Sequence, residues 1–140
     1  MEAAIVTTEK QQQDAFLIRK IVFIDEQQVP PEEEIDQFEK EATHFVLYDG
    51  ARPIGAGRFR SVDGVGKIER VCILKEYRGN GAGKLLMEKM IQYAQEVNFS
   101  KVKLNSQTHA IPFYEKLGFI VVSEEFMDAG IPHKTMELTF

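Results

Sequence analysis

The sequence is poor in cysteine, in long apolar runs and in clustered positive charge, and each lack excludes a class of protein. Its single cysteine, Cys72, cannot form an internal disulfide and excludes a cysteine-based zinc cluster. No apolar run approaches the roughly 20 residues of a membrane-spanning helix, and residues 1–4 lack the basic-then-apolar layout of a secretion signal. The net charge of −5 disfavours binding to nucleic acid or to an anionic membrane. We therefore expect a cytoplasmic protein that binds no nucleic acid, membrane or metal.

The composition describes a folded chain of one domain. The 140 residues are 44% hydrophobic and 28% charged, which is typical of a globular protein and is enough to bury one core. We find no internal repeat and no low-complexity linker. The prediction is a single domain over residues 1–140.

Hydrophobic periodicity and turn residues predict an alternation of helices and strands. The predicted helices cover 11–24, 84–97 and a short part of 111–119, and the predicted strands cover 44–48, 54–60, 67–74, 101–106, 119–124 and the C-terminal tail at the sheet edge. The first three of these strands form an antiparallel meander in the simplest interpretation. Strand 67–74, helix 84–97 and strand 101–106 then form a parallel crossover. The prediction is an α+β, or mixed α/β, fold around one twisted sheet.

Residues 25–41 form an acidic segment, in which Pro30 and Pro31 interrupt helical structure. Two interpretations of its carboxylates stay open at this point. They form a solvated acidic face, or they form a wall of a substrate site that attracts a cation.

The stretch EYRGNGAGKLL, residues 76–86, places a glycine-rich turn directly before the helix at 84–97. Such a turn presents unpaired backbone N–H groups and the positive end of the helix dipole, which together favour a phosphate. Two familiar nucleotide motifs do not fit. A Walker A loop requires glycine at position 78 and serine or threonine at position 85, but these positions hold Arg78 and Leu85. The dinucleotide fingerprint requires glycine or alanine at position 84, which holds Lys84.

Another pattern does fit. Arg78-x-x-Gly81-x-Gly83, followed about 30 residues later by FYEKLGF at 113–119, resembles the GNAT superfamily of N-acetyltransferases. The segments VFIDEQQVPPEEEID and AGIPH resemble a small bacterial branch of that superfamily whose members are poorly characterised. The resemblance implies a GNAT-like acyl-CoA N-acyltransferase fold with a central twisted mixed sheet, and acetyl-CoA as the donor.

The resemblance also implies which residues hold the donor. Backbone N–H groups of the glycine turn would bind its diphosphate, from Arg78, Gly79, Asn80, Gly81, Ala82, Gly83 and Lys84. The strand before the turn would diverge from its neighbour and leave Val71, Cys72 and Ile73 beside the pantetheine arm. Two positions depart from the common pattern, since Lys75 replaces a frequent proline and Gln107 a frequent asparagine.

Acetyl transfer to an amine requires a base for the amine and an acid for the departing thiolate. Tyr114 stands at the tyrosine position of the superfamily and is the candidate acid; its alternative role is packing against the sheet. Glu69 and His133 are the candidate bases. For Glu69, a structural role in an ion pair with a neighbouring arginine is an equally weighted alternative. For His133, the alternative is a histidine in a surface turn without a catalytic role. We do not expect a covalent step at Cys72, because no histidine adjoins it in sequence.

The predicted function is direct acetyl transfer from acetyl-CoA to a primary amine, with the acceptor open. A catalytically silent module that binds coenzyme A is the rival prediction. Because exposed sheet edges in such folds commonly pair between two copies, we also predict a homodimer.

Overall fold

A mixed sheet of eight strands crosses the structure, a computed structural model that describes all 140 residues. Its strands are β1 (Glu2–Ile5), β2 (Thr43–Asp49), β3 (Arg52–Val62), β4 (Val65–Ile73), β5 (Lys101–Gln107), β6 (Ile120–Val121), β7 (Phe126–Asp128) and β8 (Ile131–Thr139). The helices are α1 (Glu9–Arg19), α2 (Pro31–Glu34), α3 (Ala82–Glu96) and α4 (Ile111–Lys116). This arrangement confirms the predicted mixed α/β class. None of the helices is both long and apolar enough to cross a membrane.

The first helix begins earlier and ends later than predicted. Thr8 caps it: its side chain accepts a hydrogen bond from the Gln11 N–H at 3.2 Å, and the Gln11 side chain accepts one from the Thr8 N–H at 3.2 Å. At its other end, α1 continues as a π-helical segment over Lys20–Glu26. Wider π-helical turns are often found at functional sites, and this one ends close to the proline pair.

The strand order confirms the predicted meander and crossover. β2, β3 and β4 are antiparallel neighbours, and β4 pairs with β5 in parallel, with α3 as the connection. β1 was missing from the prediction because four residues are too few to show a period; it pairs with β2 at one edge of the sheet.

The C-terminal half of the sheet corrects two expectations. β8 is not an edge strand, because β5 pairs with one side of it and both β6 and β7 pair with the other. The strand predicted over 119–124 is only Ile120–Val121. The chain kinks at Ser123, whose hydroxyl accepts a hydrogen bond from the Thr135 N–H at 2.8 Å instead of continuing the ladder.

Helices α1 and α3 cover opposite faces of the sheet. Successive residues of a strand point to opposite faces, and His44 of β2 contacts Phe16 of α1 whereas Phe45 contacts Tyr93 of α3. The buried face of α3 carries Leu86, Met87, Met90 and Ala94. Both helices therefore hold β3 and β4 in a fixed core, from which the site opens.

β4 and β5 part after three paired residues. Their ladder joins Gly66–Ile68 to Val102–Leu104 and goes no further. Just beyond it, Arg70 has a φ of 56°, and the register between β3 and β4 shifts between Ala56 and Arg58. This β-bulge bends β4 away from β5 and opens a gap between the carboxyl ends of two parallel strands.

Candidate active site

A cavity of about 1030 Å³ occupies the gap between β4 and β5. All three predicted catalytic residues, Tyr114, Glu69 and His133, line it. So do the predicted donor-binding residues, except Asn80 and Ala82. Asn80 is exposed on the turn, and Ala82 is buried beneath the first turn of α3. The fold thus brings residues from distant parts of the sequence to one opening.

The backbone of β4 faces this gap at alternate residues. The Leu74 N–H bonds the Ile54 carbonyl of β3 at 2.8 Å, so Leu74 faces β3. By alternation, Ile73 and Val71 direct their backbone groups to the opposite side, where the ladder with β5 has ended. Along this wall the main-chain groups of β4 therefore have no strand partner.

The glycine turn joins β4 to α3 at the mouth of the cavity. Gly79 and Gly81 have φ of 83° and 81°, which side-chain-bearing residues rarely adopt, and Gly81 is the N-cap of α3 without a side-chain cap. The first N–H groups of α3 thus lack a side-chain partner. Gly83 has a different reason to be glycine, since an added Cβ would lie 3.2 Å from the Phe113 ring.

Arg78 reaches from the glycine turn to two other elements. Its Nε donates to the Ile73 carbonyl at 2.9 Å, and both Nη atoms donate to Glu26 at 2.7 Å. This hydrogen bonding and the positive charge of Arg78 lower the pKa of the Glu26 carboxyl. Glu26 ends the π-helical segment, so the pair bridges two walls of the cavity.

Tyr114 lies on α4 with its ring packed edge-on against Phe113 and Phe119. Burial raises the pKa of its phenol, and no hydrogen bond contributes to the shift. The hydroxyl therefore stays protonated at neutral pH and retains its full capacity to donate into the cavity.

His133 is 8% exposed and lies on β8, opposite Gln107. Its Nδ1 lies 2.7 Å from the Ile131 carbonyl, an oxygen that can only accept, so Nδ1 carries the proton. In the neutral ring Nε2 then holds a free lone pair. Stacking on Phe126 at a centroid distance of 6.0 Å supports the ring in this orientation.

Glu69 is ion-paired. Its carboxylate accepts hydrogen bonds from Arg60 at 2.7 Å and from Arg58 at 2.9 Å, and it lies 3.3 Å from the Lys67 ammonium. Burial would raise the pKa of Glu69, but the bond from Arg60 and the charges of Arg58 and Lys67 outweigh burial and lower it. Its carboxylate is therefore a weak proton acceptor at neutral pH.

The acidic segment fits neither of its two interpretations completely, because several of its carboxylates are buried in ion pairs. Arg19 contacts Glu34 at 3.0 Å and Glu39 at 2.7 Å in the interior, and Arg58 contacts Asp36 at 2.8 Å and Glu39 at 2.9 Å. Hydrogen bonding by Arg19 overcomes burial and lowers the pKa of Glu39 to about 2. Three of its carboxylates stay exposed at the cavity: Glu26, which pairs with Arg78, and Glu32 and Glu33, which form no ion pair.

Arg70 holds this segment against the bulge of β4. Its Nε lies 2.9 Å from Glu34 Oε2, and its Nη2 donates to the Glu33 carbonyl at 3.2 Å and to Asp36 at 3.3 Å. The same backbone distortion that opens the gap therefore directs an arginine onto α2, which forms a wall of the cavity.

The Cys72 thiol is buried, which raises its pKa to about 12. At neutral pH it is a protonated thiol rather than the thiolate that a nucleophile requires. No group of three or more His, Cys, Asp or Glu side chains is arranged to hold a metal ion.

Sequence reasoning missed several contacts at the cavity. Gln107 donates to the Gln27 side chain at 2.9 Å, across 80 residues, and the Arg78–Glu26 pair spans 52. No spacing in the sequence signals such pairs, because each depends on how the π-helical segment docks beside the sheet.

Known proteins resemble this chain in both sequence and fold. A family model described as an acetyltransferase (GNAT) domain matches residues 7–140. The uncharacterized N-acetyltransferase YjcF of Bacillus subtilis is 51% identical over 137 residues, which cover 97% of this chain and 98% of YjcF. An acyl-CoA N-acyltransferase structure from Pseudomonas aeruginosa has a TM-score of 0.86 at 25% identity, with 97% of each chain covered. Escherichia coli ElaA has a TM-score of 0.88 at 25% identity, covering 98% of this chain and 99% of ElaA.

Proposed function

The chain belongs to the GNAT family of acetyltransferases and is an N-acetyltransferase, and on that premise we propose that it transfers an acetyl group from acetyl-CoA directly to a primary amine. The observation that carries this proposal is the gap between β4 and β5, which ends at the glycine turn. Acetyl-CoA carries a diphosphate, which matches the glycine turn, and a long arm with amide groups, which matches the backbone edge of β4 that has no strand partner.

The donor would bind along that edge. Its diphosphate would accept hydrogen bonds from backbone N–H groups between Arg78 and Lys84, and the amides of its pantetheine arm would pair with the backbone of Val71 and Ile73. The similarity to an acyl-CoA N-acyltransferase from Pseudomonas aeruginosa supports a coenzyme A donor. The chemistry that the donor supplies is a thioester, whose carbonyl carbon the amine attacks.

Tyr114 would act as the general acid. When the tetrahedral intermediate collapses, the C–S bond breaks and the thiolate of coenzyme A needs a proton. The Tyr114 hydroxyl is protonated and has no competing hydrogen bond, which supports its assignment as the donor of that proton. The Cys72 thiol is also protonated, which argues against an acetyl-cysteine intermediate and for direct transfer.

We propose His133 rather than Glu69 as the base. The Nδ1 contact with the Ile131 carbonyl leaves Nε2 with a lone pair that can take the amine proton, directly or through water. The carboxylate of Glu69 is already engaged by Arg58 and Arg60. Glu69 would then serve to fix the arginines beneath the acceptor side of the cavity.

The acceptor would be cationic before it loses its proton. Glu32 and Glu33 stand free at the cavity and provide a negative rim for an ammonium group, either of a small amine or of a protein. A homodimer and a cytoplasmic location remain predictions from the sequence.

Release of coenzyme A across a panel of amines tests this function. The panel contains propylamine, 1,5-diaminopentane, a lysine-containing peptide and two amines that carry carboxylates. We expect acetyl-CoA to stabilise the protein against heat and the cationic members to be acetylated. Thermal stabilisation without any turnover would favour the rival function, a silent module that binds coenzyme A. Turnover of the anionic members alone would contradict a cationic acceptor.

A further inference from the structure

The ion pair between Arg78 and Glu26 joins the donor side of the cavity to its opposite wall. Arg78 stands on the glycine turn, and Glu26 ends the π-helical segment that follows α1. Both Nη–Oε distances are 2.7 Å, and both residues line the cavity. The pair is therefore bidentate and lies at the water-accessible mouth of the cavity.

Arg78 also occupies a main-chain group that the proposed donor would use. Its Nε bonds the Ile73 carbonyl at 2.9 Å, in the gap where the pantetheine arm would lie. The guanidinium thus stands between the diphosphate end and the thioester end of the proposed donor path. This inference rests on the proposed function, since it takes acetyl-CoA as the donor.

A diphosphate competes well with Glu26 for this arginine. A guanidinium binds carboxylate and phosphate oxygens through the same bidentate geometry, and a diphosphate carries more negative charge. The side chains of Arg78 and Glu26 are 40% and 36% exposed, and ion pairs with such access to water are weak. The donor can therefore exchange one partner of Arg78 for another.

Glu26 has no second arginine to take over when Arg78 leaves. Arg70, which lines the cavity, and Arg19, in the interior, are both engaged by Glu34. Arg58 is buried and engaged by Asp36 and Glu39. The neighbouring Gln27 is bonded to Gln107, which fixes the end of the π-helical segment beside the cavity. A released Glu26 carboxylate would thus remain at the cavity without an ion-pair partner, since Lys75 lowers its pKa through its charge but forms no ion pair with it.

We propose that Glu26 binds the ammonium group of the acceptor and that Arg78 blocks it until the diphosphate of the donor draws Arg78 away. Donor binding then creates the acceptor site. The amine binds second, and the enzyme avoids holding an amine in a site that has no thioester.

The affinity for acetyl-CoA tests the blocking contact without any knowledge of the acceptor. In Glu26→Gln, no carboxylate competes with the diphosphate for Arg78. We therefore expect calorimetry to show acetyl-CoA binding about two- to fivefold more tightly, the range that loss of a weak ion pair provides. A merely structural role for Glu26 would weaken binding instead. Unchanged or weaker binding would overturn the proposal.

Glu76→Gln is the matched control. Glu76 lies on the same β4–α3 connection and pairs with Arg52 at 2.8 Å, outside the cavity. This variant removes the same charge. The charge of Glu76 also raises the pKa of Arg78, but Glu76 forms no hydrogen bond or ion pair with Arg78, so the control separates the effect of charge from that of the contact. We expect its acetyl-CoA affinity to match that of the unaltered protein. Equal tightening in both variants would show a general charge effect and would also overturn the proposal.

The acceptor half is tested with the amine that is acetylated fastest in the panel. We expect Glu26→Gln to raise KM for that amine about tenfold, as expected for the loss of one charge-assisted contact, with a smaller change in kcat. An unchanged KM would overturn the role of Glu26 in acceptor binding. If no panel amine is acetylated, the proposed function itself fails, whereas the affinity comparison still decides whether Arg78 blocks the site.

Discussion

At the scale of single residues, Gly79 and Gly81 of the glycine turn are required by backbone conformation, whereas Gly83 is required by space. An added Cβ at Gly81 meets no atom within 4 Å, but φ is 81°. Gly50, in the turn between β2 and β3, has the same properties, with φ of 61° and open space, and it lies outside the cavity. The two glycines thus share a left-handed conformation with open space, but only the turn of Gly81 faces the cavity.

We predict that Gly81→Ala and Gly50→Ala each lower the free energy of unfolding by about 1–2 kcal/mol, the strain of a left-handed residue with a side chain. Only Gly81→Ala should weaken acetyl-CoA binding, by about tenfold or more, because its methyl group stands where the phosphate approaches. Urea unfolding and calorimetry measure the two effects. Equal acetyl-CoA affinities in both variants would contradict the phosphate cradle.

His44 is a second residue with a measurable signature. Its Nε2 lies 2.8 Å from the Glu39 carbonyl, while its buried Nδ1 has no partner. Burial and the nearby charges of Arg19 and Arg58 lower the pKa of His44, against the opposing effect of Glu39. The folded protein therefore binds the proton less readily than the unfolded chain.

We predict that acidification from pH 7.5 to 5.5 lowers the free energy of unfolding through His44. The unfolded chain takes up a proton near pH 6.5 that the folded state resists, so stability rises with pH in this window, by at most about 1.4 kcal/mol per pH unit for one proton. Glu39, with its pKa of about 2, stays ionised throughout. His44→Gln should show a flatter profile in urea unfolding, and an identical profile would contradict this source.

At the scale of elements, buried arginines tie the segment around α2 to strands β3 and β4. Arg58 is 1% exposed and has three carboxylate partners, Asp36, Glu39 and Glu69. Such groups are taken out of water together, so loss of the arginine leaves buried negative charges without compensation.

We therefore predict that Arg58→Met lowers the free energy of unfolding by about 3–5 kcal/mol. Arg52→Met is the control: its pair with Glu76 has both side chains 55% exposed, and its loss should matter by about 0–1 kcal/mol. Chemical denaturation of both variants provides the comparison. Similar losses would show that the buried network does not hold the fold.

Arg70 acts on the same element from the cavity side. It bonds main-chain oxygens of Glu33 and Glu34 and so restrains the wall directly. We predict that Arg70→Ala increases amide hydrogen exchange over residues 31–36 while α3 keeps its protection. Arg52→Ala should leave both regions as they are. Unchanged exchange at residues 31–36 in Arg70→Ala would mean that the buried pairs alone fix the wall.

At the scale of the whole molecule, the sequence predicted the parts that local patterns carry. The parallel crossover with its glycine turn was predictable because strand, turn and helix adjoin in the chain. The gap and the GNAT-like fold were predicted from the resemblance to the superfamily, which rests on motifs that include Arg78, Gly81 and Tyr114. The pairs Arg78–Glu26 and Arg58–Asp36 were not predictable, since they arise from docking of remote segments and leave no periodic trace.

The acidic segment shows the same limit. Its charges are visible in the sequence, but whether a carboxylate meets water, substrate or arginine depends on β3 and β4. Glu34 and Glu39 end in the interior with Arg19, whereas Glu32 and Glu33 stay at the cavity.

The central claim is that this cavity transfers an acetyl group directly, with Tyr114 as the acid. Its most direct test is to measure kcat and acetyl-CoA affinity in Tyr114→Phe, which removes one hydroxyl and keeps the ring packing against Phe113 and Phe119. We predict that kcat falls by about 10²-fold or more, the usual contribution of general acid catalysis, while acetyl-CoA affinity stays within about twofold, since a hydroxyl with no bond in the free protein holds little binding energy. An unchanged kcat with unchanged affinity would contradict the claim.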